Sequence, residues 1–587
     1  MRSIKTISKL FATAALAVGA MTTGFGQTNL GASCGCPAVT ARAKVDMATL
    51  GITTANGINE FTGNIHLTCD KIWTMASKLY VPKGLSITID PGTLIEGIFN
   101  STPDQAACLV IERGGQIFAS GTNECWIVFT TDLDPMDGSY AMTNVGKWGG
   151  VVICGTATNS LVAPQNNTGL CTGTTGVGHC EGFAAANSGN LFGAGDAAYP
   201  TFNDNDNSGI MRYVSVRHPG ALVGGATAGN EINGISLYSV GRGTTLENLE
   251  VVASADDDIE YFGGTVNMKH IATYFGDDDK YDFDLGYSGH AQFYFSVAAD
   301  SLNSGDLHTT DNGFECDADD QKAATATSNH SYPVFYNCTM IGNGHILASG
   351  DNTGGAAIQA KEATAGSWYN CLFANFRTGL HLAEARSTST YKGDAYDQWT
   401  NDATDPWLVA NGGIAQPKTL IAKNNVFVFT SDANHHRYAF TRGTLVKIDA
   451  SSNYIKNPPV TINPGIPTHA DSVQFFTTDG NQAFAAVAGI DYDWALNAGN
   501  TAFTNEYHAT PLSNLSSTIT APADGFFSSV SYKGAFDGST EDTWISDFAL
   551  VQLNTLKESN PTDLNHDGIT DINDFGIFIG KFGQKDN

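Results

Sequence analysis

Residues 335–341 read Phe335-Tyr336-Asn337-Cys338-Thr339-Met340-Ile341, and residues 368–374 read Trp368-Tyr369-Asn370-Cys371-Leu372-Phe373-Ala374. The aromatic, Tyr, Asn, Cys and apolar positions repeat in the same order. A looser copy starts at Ala422-Lys423-Asn424-Asn425 and continues Val426-Phe427-Val428-Phe429. Earlier relatives are Met211-Arg212-Tyr213-Val214-Ser215-Val216 and Leu246-Glu247-Asn248-Leu249-Glu250-Val251-Val252. A second register runs from Gly243-Thr244-Thr245 to Asp256-Asp257-Asp258, and again from Gly264-Thr265-Val266 to Asp277-Asp278-Asp279. Each unit holds short apolar runs with Gly, Asn or Asp between them, and none has a helical period of useful length.

Irregular repeats of roughly 20–35 residues built only of short strands predict an all-β parallel β-helix. A single coil cannot bury its inward side chains, so coils stack and share one core. Corners require positive φ or side-chain-to-backbone hydrogen bonds, which accounts for the excess of Gly, Asn and Asp. Asn337 and Asn370 are expected to stack as a ladder. Cys338 and Cys371 then fall on neighbouring coils about 4.8 Å apart. They form either a disulfide or a pair of small buried apolar side chains.

Composition agrees. The 587 residues include 64 Gly and 10% aromatics, with only 15% charged residues. The formal net charge of -29 excludes nucleic-acid binding through a basic surface. An apolar share of 42% excludes a disordered chain.

The N-terminus carries Arg2, Lys5 and Lys9 ahead of an apolar run beginning at Phe11 that is too short to span a bilayer. This is the pattern of a secretory signal peptide over 1–27, with cleavage near Gly26–Gln27 or at Ala20. No later segment reads as transmembrane. The expected location is therefore secreted, extracellular or on the outer cell surface. Some of the 11 Cys should pair in that setting; Cys171 and Cys180 bracket a Gly/Thr loop and are the expected local bridge.

The stretches IDPGTLIEG (89–97), LVIERGGQIFASGT (109–122), WIVFTTD (126–132) and KWGGVVICG (147–155) follow one another in order. EINGISLYSVGRGTTLENLEV (231–251), SADDDIEYFGGTVN (254–267) and DDDKYDFDLGYSG (277–289) continue the series. Together they resemble a group of secreted β-helix proteins common in the Bacteroidota, and FFSSVSYKGAF (526–536) is similar to that group's closing segment. The resemblance implies a right-handed parallel β-helix and no established activity. The expected organisation is an N-terminal segment and cap over 28–60, the β-helix over 61–440, and a C-terminal cap over 441–558. A calcium-binding loop and helix occupy 559–587. The cap region has Pro-rich stretches and a helix expected near Thr543–Leu556.

Three strands share an acidic pattern: Asp258-Ile259-Glu260-Tyr261, Asp282-Phe283-Asp284-Leu285 and Gly313-Phe314-Glu315-Cys316. Alternation places Ile259, Phe283 and Phe314 on one face. If that face is the core, Glu260, Asp284 and Glu315 form an outward column about 4.8 Å apart, flanked by Asp258 and Asp282. Lys269, His270, Lys280 and His290 are the basic side chains nearby. Three readings stand open. One is a solvated acidic face, one is Ca²⁺ binding by hard oxygen ligands, and one is catalysis by paired carboxylates. Polygalacturonase-type hydrolases are similar in clustering Asp on stacked strands. They also carry Gly-His-Gly and Arg-Ile-Lys, whereas this chain has Gly342-Asn343-Gly344-His345 and no Arg-Ile-Lys. A lyase would need Lys269 or Lys280 as base beside bound Ca²⁺.

The tail holds Asp563, Asn565, Asp567, Gly568, Ile569, Asp571 and Asp574 at the twelve-residue EF-hand spacing. The side chains of Asp563, Asn565 and Asp567 and the Ile569 carbonyl supply oxygens. Asp571 binds directly or through water, and Asp574 closes the shell. Phe575, Phe578, Ile579 and Phe582 follow on one helical face. The loop resembles a single dockerin repeat, which implies a protein partner for this segment; dockerins carry two repeats.

Gly241-Arg242-Gly243-Thr244 is a corner rather than a phosphate cradle. No Gly-x-Ser-x-Gly or His-Glu-x-x-His occurs. His435 and His436 lack a third ligand. Trp148, Tyr281 and Tyr287 either stack on sugar rings or pack the core. The expected function is non-catalytic binding or adhesion to a glycan or cell-surface component. The alternative is a Ca²⁺-assisted polysaccharide lyase or glycoside hydrolase working through Glu260, Asp284 and Glu315.

Overall fold

The computed structural model describes residues 30–55, 57–161, 176–183, 187–221, 231–298, 312–318, 330–342, 355–361, 364–376, 378–383, 399, 420–428, 438–443, 473–484, 487, 499, 515–537 and 544–547. Almost all regular structure in them is β, and nearly every strand pairing is parallel. The chain winds as a right-handed parallel β-helix with three faces. The first face runs through Ser86–Ile89, Gln116–Ser120 and, later, Val334–Tyr336, Gly366–Tyr369 and Leu420–Lys423. The second runs through Ala43–Asp46, Lys71–Met75, Leu94–Gly97 and Ile127–Thr131, and ends at Gln482–Phe484. The third runs from Ile58–Phe61, Lys78–Val81 and Cys108–Ile111 to Thr378–Ala383 and Tyr438–Gly443.

In the middle coils the first two faces are one strand bent through a single left-handed residue. Gly209–Arg217 bends at Tyr213 (φ 52°), Thr245–Val252 at Asn248 (φ 53°), Asn267–Tyr274 at His270 (φ 57°) and His290–Val297 at Phe293 (φ 61°). Asn337, Asn370 and Asn424 continue the same column, with φ of 56°, 57° and 59°. Asn tolerates this conformation because its short amide bonds to nearby groups. Asn424 Nδ2 donates to Asn370 Oδ1 at 2.7 Å, whereas the Asn337 and Asn370 amides, expected to stack on each other inside the coil, donate to Tyr532 O and Ile519 O.

Inward side chains stack along the axis. Phe335 lies parallel to Trp368 with ring centroids 5.7 Å apart, and Phe373 stacks on Phe427 at 5.3 Å. Tyr261 Oη and Tyr294 Oη share a hydrogen bond of 2.8 Å inside the core. Each fully buried aromatic or aliphatic side chain is worth about 1.5–3 kcal/mol, and the stack continues through every described coil.

The expected boundaries need adjustment. Ala43–Asp46 pairs in parallel with Lys71–Met75, so the coil stack begins before residue 61. Gln482–Phe484 pairs in parallel with Val426–Val428, so it extends past 440. Residues 515–536, expected in a cap over the last coil, lie along the side of the stack. Asn337 Nδ2 donates to Tyr532 O and Asn370 Nδ2 to Ile519 O, each at 2.7 Å, and Lys269 Nζ donates to Phe526 O at 3.0 Å. The left-handed corner leaves a row of amide groups pointing out, and this segment satisfies them. The expected helix near Thr543–Leu556 is described only at Trp544–Asp547, a single 3-10 turn.

Two disulfides fasten the N-terminal segment, Cys34–Cys125 and Cys36–Cys69. Cys338 and Cys371 are buried thiols on adjacent coils, not a bridge. Cys171 lies outside the described residues; Cys180 Sγ is 3.3 Å from Cys154 Sγ. The N-terminal 1–27 and the loop of Asp563, Asn565, Asp567, Ile569, Asp571 and Asp574 also lie outside them.

Candidate functional site

The acidic strands sit on the third face. Ile235–Tyr238 pairs with Ile259–Phe262, which pairs with Tyr281–Asp284, then Phe314–Cys316, Ala356–Ala360 and Thr378–Ala383. Ile259, Tyr261, Tyr281, Phe283, Phe314 and Cys316 are all fully buried and point inward. Their neighbours in sequence therefore point out.

The register differs from the expected one by two residues. Glu260 pairs with Asp282, and Asp282 pairs with Glu315. The outward column is Ser236, Glu260, Asp282, Glu315, Gln359 and His381. Asp284 is not in it; it pairs with Phe262, one step along the strand, in the column that continues to Asp317 and Lys361. The corner decides the phase. Gly263 N–H bonds to Asp284 O, fixing where both strands turn.

The turns entering these strands add carboxylates. Asp257, Glu260 and Asp282 bring carboxylate oxygens within 4.8 Å of one another, and so do Asp256, Asp257 and Asp278. A third group is Asp282, Glu315 and Asp317. Asp257 joins the first group to the second, and Asp282 joins the first to the third. Asp279 N–H donates to Asp257 Oδ1 at 3.0 Å. Asn233, fully buried, donates from Nδ2 to Glu260 Oε2. Its Oδ1, and Oδ1 of Asp282, are buried with no hydrogen-bond partner. Gly276 packs against Asp258, where a Cβ would lie 2.4 Å from Oδ1.

Burial, then the neighbouring carboxylates, push the Asp257, Glu260 and Asp282 carboxyl groups well above the usual range. Ionising them together requires a compensating cation. Burial alone would lower the Lys361 ammonium, but Asp317, Glu315 and Asp282 hold it well above the ordinary lysine range. Its Nζ lies 2.8 Å from Glu315 Oε1 and 3.1 Å from Asp317 Oδ2.

The other nearby bases are committed elsewhere. Lys280 Nζ donates to the Gly276 carbonyl at 2.7 Å and lies 3.4 Å from Asp258, with 1% of its side chain exposed. Lys269 holds Phe526 O and Ser528 Oγ. His270 stacks on Phe293 at the corner between the first and second faces, and His290, at the start of the first face, stacks on Phe527. Trp148, Tyr281 and Tyr287 are fully buried and pack the core, which removes them as sugar platforms. His435 and His436 lie outside the described residues.

The family described as pectate-lyase like beta helix domain matches residues 59–405. The chain belongs to this family. No curated protein matches it. The pectate-lyase-like match contains Glu260, Asp282, Glu315 and Lys361, so the acidic face lies within the part shared with the family. Membership points to a carbohydrate-related role for the pectate-lyase-like domain. Among the described residues, no helix is long and apolar enough to cross a membrane.

Alternation gave the outward direction of Glu260 and Glu315 but not the register that places Asp282, rather than Asp284, between them. Asp257, Asp278 and Asp317 read as corner residues, because an Asp in a turn satisfies a corner whether or not it binds anything. Asn233 and Lys361 had no local signal, since they reach the site only through coil stacking.

Proposed function

We propose that the protein is a non-catalytic, Ca²⁺-dependent glycan-binding or adhesion protein, working outside the cell, whose acidic face bridges to an anionic sugar through divalent cations. What carries the reading is the close group formed by Asp257, Glu260 and Asp282, with Asn233 Oδ1 beside it. All four offer the hard oxygen ligands that Ca²⁺ takes at about 2.3–2.6 Å. The bare face would repel an acidic polymer; a bound cation reverses that. A lyase would also need a base able to lose its proton. Among the described residues, Lys361 is held as an ammonium by two carboxylates, and Lys280 is buried against Asp258 and Gly276. This favours binding over elimination.

The C-terminal loop of Asp563, Asn565, Asp567, Ile569, Asp571 and Asp574 binds a further Ca²⁺ on this reading, and presents its apolar helix to the preceding chain or to a protein partner.

A glycan array with and without Ca²⁺, followed by product analysis on every hit, tests the proposal. Ca²⁺-dependent retention without cleavage is expected. Unsaturated or reducing-end products would replace it with the enzymatic alternative. Tail protease resistance that EDTA leaves unchanged would remove the loop from the account.

A further inference from the structure

The three carboxylate groups of the third face form a line, joined through Asp257 and Asp282. They differ in one respect. Among the described residues, only the third has an ammonium between its carboxylates. Lys361 Nζ is 2.8 Å from Glu315 and 3.1 Å from Asp317, at hydrogen-bonding distance from both. Gln359 Nε2 donates to the same Glu315 Oε1 at 2.8 Å, so the donors already fill this corner. The middle group is the reverse. It has no amine, and the buried oxygens Asn233 Oδ1 and Asp282 Oδ1 face no donor.

The strand register builds this asymmetry. Lys361 N–H bonds to Cys316 O and Asp317 N–H to Phe283 O, so residues 317 and 361 are held on successive coils at the same step. A lysine there has little choice but to lay its ammonium between the Asp317 and Glu315 carboxylates.

We propose that Lys361 is a built-in cation that takes the place of a divalent ion in the third group and ends the row of ion sites. Divalent ions then bind the groups of Asp256, Asp257, Asp278 and Asp257, Glu260, Asp282, and not the group of Asp282, Glu315, Asp317. This rests on the Ca²⁺-binding reading above, and it fixes where on the face a cation-bridged anionic sugar can be held. It also gives the ammonium a role other than proton transfer. A group that neutralises two carboxylates in the resting protein is an electrostatic strut.

The test is the number of Ca²⁺ ions bound per chain, measured by equilibrium dialysis on the full-length protein, with circular dichroism as the check on folding. The C-terminal loop contributes equally to every variant and cancels. Lys361→Met is expected to bind one Ca²⁺ more than wild type, because the vacated group becomes a third site. Lys361→Arg is expected to keep the wild-type number. Asp317→Asn leaves Lys361 in place and is expected to keep it too, since no divalent ion uses that carboxylate. A folded Lys361→Met protein with an unchanged count overturns the proposal. If that variant fails to fold, Asp317→Asn decides, and loss of one ion overturns it. Asp282→Asn separates the two levels. It is expected to lose at least one ion, and an unchanged count would bring down the underlying cation reading as well.

Discussion

Glu260 and Asp282 stand opposite each other on adjacent coils, paired within the parallel register of the third face. Like charges at about 4.8 Å repel unless something lies between them. The fold nevertheless holds them there, because their strand neighbours Ile259, Tyr261, Tyr281 and Phe283 are locked into the core on the other side.

Removing one charge should therefore act in opposite directions with and without cation. Asp282→Asn is expected to melt at or above the wild-type temperature in EDTA. In Ca²⁺ the wild type should gain stability that the variant lacks. At free Ca²⁺ a hundredfold above the dissociation constant, that gain is about 2.7 kcal/mol per site. Thermal melts with and without Ca²⁺ measure it, and equal Ca²⁺ shifts in both proteins would count against the site.

Asn370 ties the lateral segment to the coil stack. It is buried with φ 57° and donates to Ile519 O at 2.7 Å. It also accepts from Asn424 Nδ2 and from Ser517 Oγ, each at 2.7 Å. Asn370→Ala loses these bonds and the short amide that makes the left-handed conformation tolerable for a residue with a Cβ, at a combined cost of about 3–5 kcal/mol. Asn370→Gly keeps the conformation and should cost less. Limited proteolysis should cut within 515–536 sooner in the Ala variant, and equal cleavage rates would show that the segment is held by other contacts.

Glu112 supplies a pH dependence away from the acidic face. Burial, and then the Glu60 carboxylate beside it, push its carboxyl up to about 7. The folded value lies above the unfolded one, so the folded state holds the proton more tightly. Its stabilising contribution is complete below about pH 4.5 and is lost as pH rises through 7. Glu112→Gln removes this loss. The variant should gain on the wild type between pH 5 and pH 8, by at most about 3 kcal/mol. Urea melts across that range test it, and parallel pH profiles would refute it.

The disulfides Cys34–Cys125 and Cys36–Cys69 close loops with sequence separations of 91 and 33. Loop-closure entropy assigns each about 4 kcal/mol. Cys69→Ser should lower the melting temperature in non-reducing buffer and abolish most of the further drop caused by dithiothreitol at that loop. Dithiothreitol should also make 30–50 accessible to protease.

The solenoid was legible because its repeat carries the corner chemistry with it. Asn337 and Asn370 fall at equivalent places in two copies of one heptapeptide, and both turn out to be left-handed corner residues. The phase of the acidic strands was not legible. Alternation says that Ile259 and Phe283 both face inward, and they do, but sliding one strand by two residues preserves every inward and outward assignment. Only the positions of the turns, at Gly263 and Leu285, choose between Asp282 and Asp284 as the partner of Glu260. The two N-terminal disulfides were not legible for a related reason. Cys34 meets Cys125 across 91 residues, a distance set by the number of coils between them rather than by any local pattern.

The single-residue bend between the first and second faces leaves no room for extra chain at that edge of the triangle. Whereas an earlier coil carries a longer corner between Ser120 and Ile127, in the middle coils length changes at the other two edges, as between Val297 and Phe314 and between Cys316 and Val334. Both of those edges border the carboxylate face. Variation in the middle coils is thus funnelled to the margins of one wall, where new loops can reshape what docks there without disturbing the winding that supports it.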